Sequence, residues 1–175
     1  MKRLFVGLGL TALLACSGGK SGGDPVLDQD YASNFTGTWT GPFTITADGT
    51  SSTSTVLQTI TSPAANRLEL GDFCTDLSSV TAIVTSASTF RLDPRACPPM
   101  SVTGCSAVTV TYDRGTGSLS SGTLTLDASG TMSGCGQKFS YTARLVGTRT
   151  TVMLAAGATP SWANAVADAV EAGAR

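Results

Sequence analysis

Apolar and polar residues alternate along the chain from residue 35 onward. Threonines fill most even positions of the first stretch, and large apolar side chains occupy its odd positions, namely Phe35, Trp39, Phe43 and Ile45. A period of two is typical of a β-strand with one buried and one solvated face. Within this strand Gly41-Pro42 predicts a bend or bulge, because proline has no backbone N–H to donate to a neighbouring strand.

Seven further strands follow from the same alternation. Asp48-Gly49 is a hairpin signal that leads into the second strand. The later strands are predicted near Ser54–Thr61 and at Arg67–Leu70, Ser79–Thr85, Thr89–Leu92, Ala107–Tyr112, Thr123–Leu126 and Phe139–Val146. Turns between strands are predicted at Ser62-Pro63, Gly71-Asp72, 113–117 and 128–130. Eight or nine short strands at this spacing favour one antiparallel all-β domain, either a β-barrel or a sandwich.

One helix is predicted near the end of the chain, over Pro160–Ala172. Thr159 is a candidate N-cap, proline suits the first helical position, and Gly173 is a stop signal. One face of this helix holds three apolar residues spaced four apart: Trp162, Val166 and Val170. That face is expected to dock the helix on the strands.

The first residues of the chain have the features of an export signal. Lys2 and Arg3 precede an apolar run, Leu4–Ala15, which is too short to span a bilayer, since a spanning helix needs about 20 residues. The run ends in Leu13-Leu14-Ala15-Cys16, which resembles the lipobox of bacterial lipoproteins. The resemblance implies that Cys16 becomes diacylated and forms the mature N-terminus, where more than one acyl chain gives a stable anchor.

The sequence therefore predicts four parts. Residues 1–15 are the signal peptide, 16–33 the lipidated cysteine with a flexible Gly/Ser tether, 34–158 the β-barrel domain, and 159–175 the C-terminal helix. The expected location is the bacterial cell envelope, with the membrane as partner through the lipid. Ser17 is similar to an outer-membrane sorting signal, which favours the outer membrane.

Charge and composition narrow the range of functions. Nine basic and twelve acidic residues remain from Cys16 onward, a net charge of −3, and no sequence cluster of Lys or Arg indicates a nucleic-acid-binding face. The chain has no histidine, which removes the Ser-His-Asp triad, the Cys-His pair and His-ligated zinc. We therefore expect no enzymatic activity, no catalytic residues, no metal site and no cofactor.

Four cysteines remain besides Cys16, an even number that predicts disulfides in an exported chain. The strand order favours Cys74–Cys97 and Cys105–Cys135, because each pair then meets at one rim of the strands. Pairing Cys97 with Cys105 is the alternative, since Pro98-Pro99 makes the segment between them loop-like. The gaps between the cysteines lack the close pairs of a zinc site or a redox motif.

Glu69, Asp72 and Asp76 form a local acidic cluster around Cys74. Such a group could hold a metal or act as a carboxylate pair in glycoside hydrolysis. The favoured interpretation is a solvated turn that holds a disulfide, since the acidic spacing of a calcium loop is missing.

A second resemblance lies at the start of the first strand. Asn34-Phe35-Thr36-Gly37-Thr38-Trp39 resembles the opening Gly-x-Trp motif of lipocalins, although Thr40 replaces the usual aromatic residue and the middle Thr-Asp-Tyr motif is missing. In that family the tryptophan plugs the closed end of an eight-stranded barrel and a late arginine packs across it. The resemblance implies a lipocalin-like barrel, with Arg144 as the matching arginine. The simpler interpretation, which the alternation favours, is that Trp39 is a large core residue.

These observations favour a non-enzymatic envelope lipoprotein with a structural or interaction role through its outer loops, and its protein partner is unknown. The alternative function is binding or carrying a small apolar ligand inside a lipocalin-like barrel, at ligand-binding residues that the sequence leaves unknown. A side-chain-filled interior favours the first function, and an apolar cavity of about 300 Å3 or more favours the second.

Overall fold

The fold is known from a computed structural model, which describes residues 23–74, 78–102, 105–151, 162, 165, 166 and 168. It is all-β, as the alternation predicts, and every strand pairing is antiparallel. The strands are β1 (Gly37–Ala47), β2 (Thr50–Ala64), β3 (Arg67–Leu70), β4 (Val80–Ser86), β5 (Thr89–Leu92), β6 (Arg95–Ala96), β7 (Met100–Val102), β8 (Cys105–Ser120), β9 (Thr123–Gly134) and β10 (Gln137–Thr150).

The sheet is ring-like. Its strand order is β5-β4-β3-β2-β1-β10-β9-β8, and an additional pairing between β5 and β8 joins the two ends of this path. The short strands β6 and β7 pair with the first half of β8. These two strands were not predicted, because two or three residues beside Pro98-Pro99 are too few to show an alternation.

Strand β1 has the predicted alternation. Trp39, Phe43 and Ile45 are buried, while the threonines between them lie on the outer face. Pairing with β10 is interrupted at Gly41-Pro42 and resumes in the same register on both sides. A Cβ at Gly41 would overlap the carbonyl oxygen of Val146, so the close approach of the two strands requires glycine there.

Two predicted turns are wrong, because residues 113–117 and 128–130 lie inside the long strands β8 and β9. At each glycine of these segments a neighbouring group occupies the space that a Cβ would take, and at Gly130 it is the carbonyl oxygen of Thr111. At Gly117 that neighbour is the ring of Phe90, and at Gly115 it is Leu92. Ser62-Pro63 likewise lies within β2 rather than in a turn.

Four aromatic side chains pack against one another across the interior of the ring. Trp162 stacks on Phe73 with ring centroids 4.4 Å apart and contacts Phe43 of β1 at 4.3 Å, and Phe73 meets Tyr112 of β8 at 4.9 Å. We call Phe43, Phe73, Tyr112 and Trp162 the aromatic seam. It joins β1 to β8 through the interior, and the Tyr112 hydroxyl donates to the carbonyl oxygen of Phe73 at 3.0 Å.

The segment before β1 differs from the flexible tether predicted for 16–33. Its described part is attached to the turn after β2: Asn66 accepts a hydrogen bond from the Tyr31 backbone and donates one to the Gln29 carbonyl oxygen. The carboxylate of Asp30 accepts from the backbone N–H groups of Ala32 and Asn66, which lowers the pKa of Asp30 below its ordinary value. Asp24 forms an ion pair with Arg67. The described part of this segment, from Asp24 onward, is therefore in contact with the strands.

The predicted C-terminal helix lies mostly outside the described residues. Trp162, Ala165, Val166 and Asp168 have helical backbone conformation, and the first three are buried. The Trp162 backbone donates to the Asp72 carbonyl oxygen at 3.2 Å. The docking predicted for this face is thus observed at Trp162 and Val166, while the extent of the helix stays a prediction.

Candidate functional site

A disulfide joins Cys74 to Cys97, the pair that the strand order favoured over Cys97–Cys105, with their Cα atoms 5.4 Å apart. Cys135 is disulfide-bonded as well. Ser133 lies opposite Thr109, so continuing this register by two residues brings Cys135 beside position 107, two residues from Cys105. The side chain of Cys105 and the whole of Cys16 lie outside the described part of the chain, so the Cys105–Cys135 pairing and the lipidation stay predictions.

The acidic cluster around Cys74 is dispersed in the structure. Glu69 accepts a hydrogen bond from the Ser79 hydroxyl, and Asp72 uses its carbonyl oxygen to hold Trp162. Asp76 lies outside the described residues. Within the described ranges no three metal-ligating side chains of the His, Cys, Asp and Glu types come together.

Trp39 lies at the end of the ring where β5 pairs with β8, and an arginine packs across it. The ring is 1% exposed, and its Nε1–H donates to the Phe35 carbonyl oxygen at 2.8 Å. The arginine is Arg149, whose guanidinium lies 4.9 Å from the ring centroid and donates to the Asn34 carbonyl oxygen. The expectation for Arg144 is wrong. The register places Arg149, not Arg144, opposite Trp39, and Arg144 lies opposite Thr44 on the outer face.

Two tyrosine hydroxyls are buried in the interior near the aromatic seam. Burial raises the pKa of Tyr112 well above its ordinary value, and burial raises that of Tyr141 in the same way, with smaller effects from Tyr112 and Asp113. The Tyr141 hydroxyl donates to the Thr111 carbonyl oxygen at 2.9 Å. Both groups are therefore neutral hydrogen-bond donors to backbone oxygens, a structural arrangement.

A cavity of about 650 Å3 lies on the outer face of the sheet. Its polar lining residues alternate with core residues along each strand: Arg144 stands between Ala143 and Leu145, which are both buried. Cross-strand register arranges the lining in two rows. One row is Thr44, Arg144, Asp127, Thr116 and Arg91, and the other is Thr46, Thr142, Ser129 and Arg114. We call this cavity the outer groove.

Three arginines surround the outer groove together with one carboxylate. Arg144 pairs with Asp127 at 3.3 Å, and Arg91 lies 4.0 Å from Asp24. Arg114 donates from Nε to the Ser129 hydroxyl at 3.0 Å and forms no ion pair with any described residue. The charges that line the groove therefore sum to +2, three arginines less one aspartate. A second cavity of about 450 Å3 adjoins it on the same face and shares Arg114, with Asp113 on its wall.

Sequence reasoning missed the outer groove. Its arginines are separated by 23 and 30 residues, so no local run of charge marks them. Only the register of β5, β8, β9 and β10 brings them to one surface. The one signal in the sequence is the position of Arg91 and Arg144 on the outward-facing sites of predicted strands, whereas Arg114 falls in a segment that was predicted to be a turn.

Comparisons with protein-family models, curated protein sequences and solved structures find no match for this chain. No helix within the described residues is long and apolar enough to cross a membrane.

Proposed function

We propose that this chain is a lipid-anchored protein of the bacterial cell envelope that has no enzymatic activity and acts through its outer surface. The observation behind the proposal is the filled interior. Side chains occupy the ring at each level: Phe90 fills the space beside Gly117, Leu92 that beside Gly115, and the aromatic seam the region between β1 and β8. A core of this kind stabilises a fold and leaves the outer face for recognition.

The closed strand order and the arginine over Trp39 support the interpretation of the fold as a lipocalin-like barrel of eight strands. In that interpretation β6 and β7 are additions to the connection between β5 and β8. The resemblance concerns the fold and the plugged end only, because fold does not determine function.

The interior packing opposes the alternative function as a carrier of a small apolar ligand. Ligand sites in proteins have volumes of about 300–1,000 Å3, and the two cavities described above lie on the outer face, where arginine, threonine and serine side chains stand beside small apolar residues such as Ala128 and Ala143. An apolar ligand bound there would have to bury charged guanidinium groups without partners, which costs free energy.

A fluorescent fatty acid tests the filled interior. We expect the full chain carrying Cys16→Ser to show no saturable binding of the probe. Adding Phe90→Ala to this chain opens space in the interior, and we expect the binding signal to stay unchanged in that variant as well. Saturable one-to-one binding to the Cys16→Ser chain, displaced by an unlabelled fatty acid, would refute the proposal in favour of the carrier function.

Metabolic labelling with a fatty-acid analogue tests the anchor. The wild-type chain should be labelled and should fractionate with membranes, whereas Cys16→Ser should lose both properties. Cys135→Ser serves as the matched control, because it makes the same Cys-to-Ser change at a disulfide-bonded cysteine and should keep the label. Labelling that survives Cys16→Ser would contradict the anchoring.

A further inference from the structure

We propose that the outer groove binds an anionic saccharide, a sugar that bears carboxylate or phosphate groups. This inference rests on the proposed function, in which the outer face is the interacting surface, and it adds the chemistry of the ligand. The chain is acidic overall, yet three of the nine basic residues downstream of the signal surround one cavity of about 650 Å3. That volume lies in the range of ligand sites, about 300–1,000 Å3.

The arginines provide anion recognition. A guanidinium presents several N–H donors in a planar fork, which matches carboxylate and phosphate oxygens. Among the described residues Arg114 has one hydrogen-bond partner, the Ser129 hydroxyl, which accepts from its Nε. The two terminal nitrogens of Arg114 can therefore donate to the oxygens of a ligand. Arg91 and Arg144 stand in one row with Asp127 and Thr116 between them, about 14 Å apart at the strand spacing of about 4.8 Å. The groove is thus wide enough for an extended ligand that meets more than one arginine.

The hydroxyl groups of the groove provide sugar recognition. Serine and threonine side chains line it, and a hydroxyl both donates and accepts a hydrogen bond, as the hydroxyls of a sugar do. The lining residues include no aromatic side chain, so stacking on a sugar ring is not available there. Affinity must then come from charge, which predicts that a neutral sugar of the same shape binds poorly.

The acidic residues nearby set the strength of binding. Asp127 pairs with Arg144 inside the groove, Asp24 faces Arg91 from its edge, and Asp113 belongs to the adjoining cavity. Asp127 competes with an anionic ligand for Arg144, and because the pair is exposed it contributes little to holding the arginine in place. Its removal should therefore tighten binding, an effect that a purely structural role for Asp127 does not produce.

The position of the groove places a membrane surface within reach. Asp24, beside Arg91, is eight residues from Cys16, and eight extended residues span at most about 28 Å. A saccharide phosphate on a lipid headgroup and a free acidic oligosaccharide present the same chemistry to the groove, and the experiment separates these two sources.

Calorimetry tests the proposal with the full chain carrying Cys16→Ser, so that the predicted anchor does not contribute. The probes are a galacturonic acid oligomer, the same oligomer as its neutral methyl ester, and phosphatidylcholine vesicles with or without phosphatidylinositol phosphate. We expect binding of the charged oligomer, of the phosphorylated vesicles, or of both, and none of the ester. Which charged probe binds identifies the source.

The variants decide whether the groove is the site. Arg114→Gln should weaken binding by about tenfold, the loss of one charge-assisted hydrogen bond, and Asp127→Asn should tighten it by about threefold. Arg95→Gln on β6 lies outside the groove and is the matched control, with unchanged affinity expected. Equal binding by Arg114→Gln, weaker binding by Asp127→Asn, an equal loss in Arg95→Gln, or no binding of either charged probe would overturn the proposal. The fatty-acid and labelling experiments test the proposed function and do not depend on saccharide binding. A negative calorimetry result would therefore refute the saccharide site without refuting the proposed function.

Discussion

Replacing Trp39 tests the plugged end of the ring most directly. The ring is 1% exposed, and its Nε1–H donates to the Phe35 carbonyl oxygen at 2.8 Å. Truncation of a core aromatic residue to alanine costs about 3–5 kcal/mol, and a domain has only about 5–15 kcal/mol in total. Trp39→Ala is therefore expected to remove a large part of the free energy of unfolding, and to unfold much of the population if the wild-type value lies at the low end of that range.

Trp39→Phe gives a measurable intermediate case. Phenylalanine keeps an aromatic ring but removes the Nε1–H, and the lost hydrogen bond costs about 1 kcal/mol. The smaller ring adds about 1 kcal/mol through imperfect packing. We expect a loss of about 2 kcal/mol, measured by urea unfolding with an unchanged m value. Trp162, the only other tryptophan, serves as the fluorescent reporter in the variant.

Arg149 and Arg144 form a matched pair on the same strand. The guanidinium of Arg149 lies 4.9 Å from the Trp39 ring centroid, whereas Arg144 pairs with Asp127 on the exposed face. A double-mutant cycle between Trp39→Phe and Arg149→Gln should give a coupling of about 0.5–1 kcal/mol, and the cycle with Arg144→Gln should give none. A Trp39→Phe variant as stable as wild type, or coupling to Arg144 instead of Arg149, would refute this account of the plugged end.

Two further predictions concern the interior. Tyr112 and Tyr141 stay protonated in the folded state because burial raises the pKa of each, while in the unfolded state they ionise near pH 10. The unfolded state then binds fewer protons, so the free energy of unfolding should fall above about pH 10 by up to about 1.4 kcal/mol per pH unit for each tyrosine. Tyr141→Phe should reduce this slope. Urea unfolding across about pH 9–11 measures it, with each protein compared with its own free energy of unfolding at neutral pH. Gly130→Ala would force a Cβ into the carbonyl oxygen of Thr111 and should lower stability by about 1–3 kcal/mol. Gly147→Ala is the control, because a Cβ there would lie 3.4 Å from its nearest neighbour. Thermal unfolding of both variants should show a smaller loss of stability for Gly147→Ala than for Gly130→Ala.

The sequence predicts strands well where a short segment alternates clearly. The bounds of β3 and β5 agree with the prediction to the residue, because in each four-residue segment two apolar residues alternate with polar ones. For β8 and β9 the predicted strands end too early, because the glycines in 113–117 and 128–130 predict turns. At Gly115 and Gly117 the chain needs glycine because Leu92 and Phe90 arrive from another strand, and that contact depends on distant residues.

The site is less predictable than the fold for a related reason. The resemblance predicts that Arg144 packs across Trp39, because Arg144 lies in the last strand that the alternation reveals. The strand β10 continues to Thr150, however, and its register places Arg149 opposite Trp39. The outer groove has the same origin, since its arginines meet only through the pairing of four strands. Register is a long-range property, and one sequence does not encode it locally in a form that alternation reveals.

Two parts of the ring are held by different kinds of contact, and this gives them different dynamics. Between β5 and β8, backbone hydrogen bonds join the strands, and separating them breaks strand pairs. The segment that carries Phe73 is held by the side chains of the aromatic seam, so it can open locally while the described strand pairs stay intact. The Cys74–Cys97 disulfide lies directly beside Phe73 and limits how far such an opening extends. Native-state hydrogen exchange should therefore show the amides beside this segment, such as Cys97 N–H bonded to Val110, exchanging before those of the β5–β8 pair.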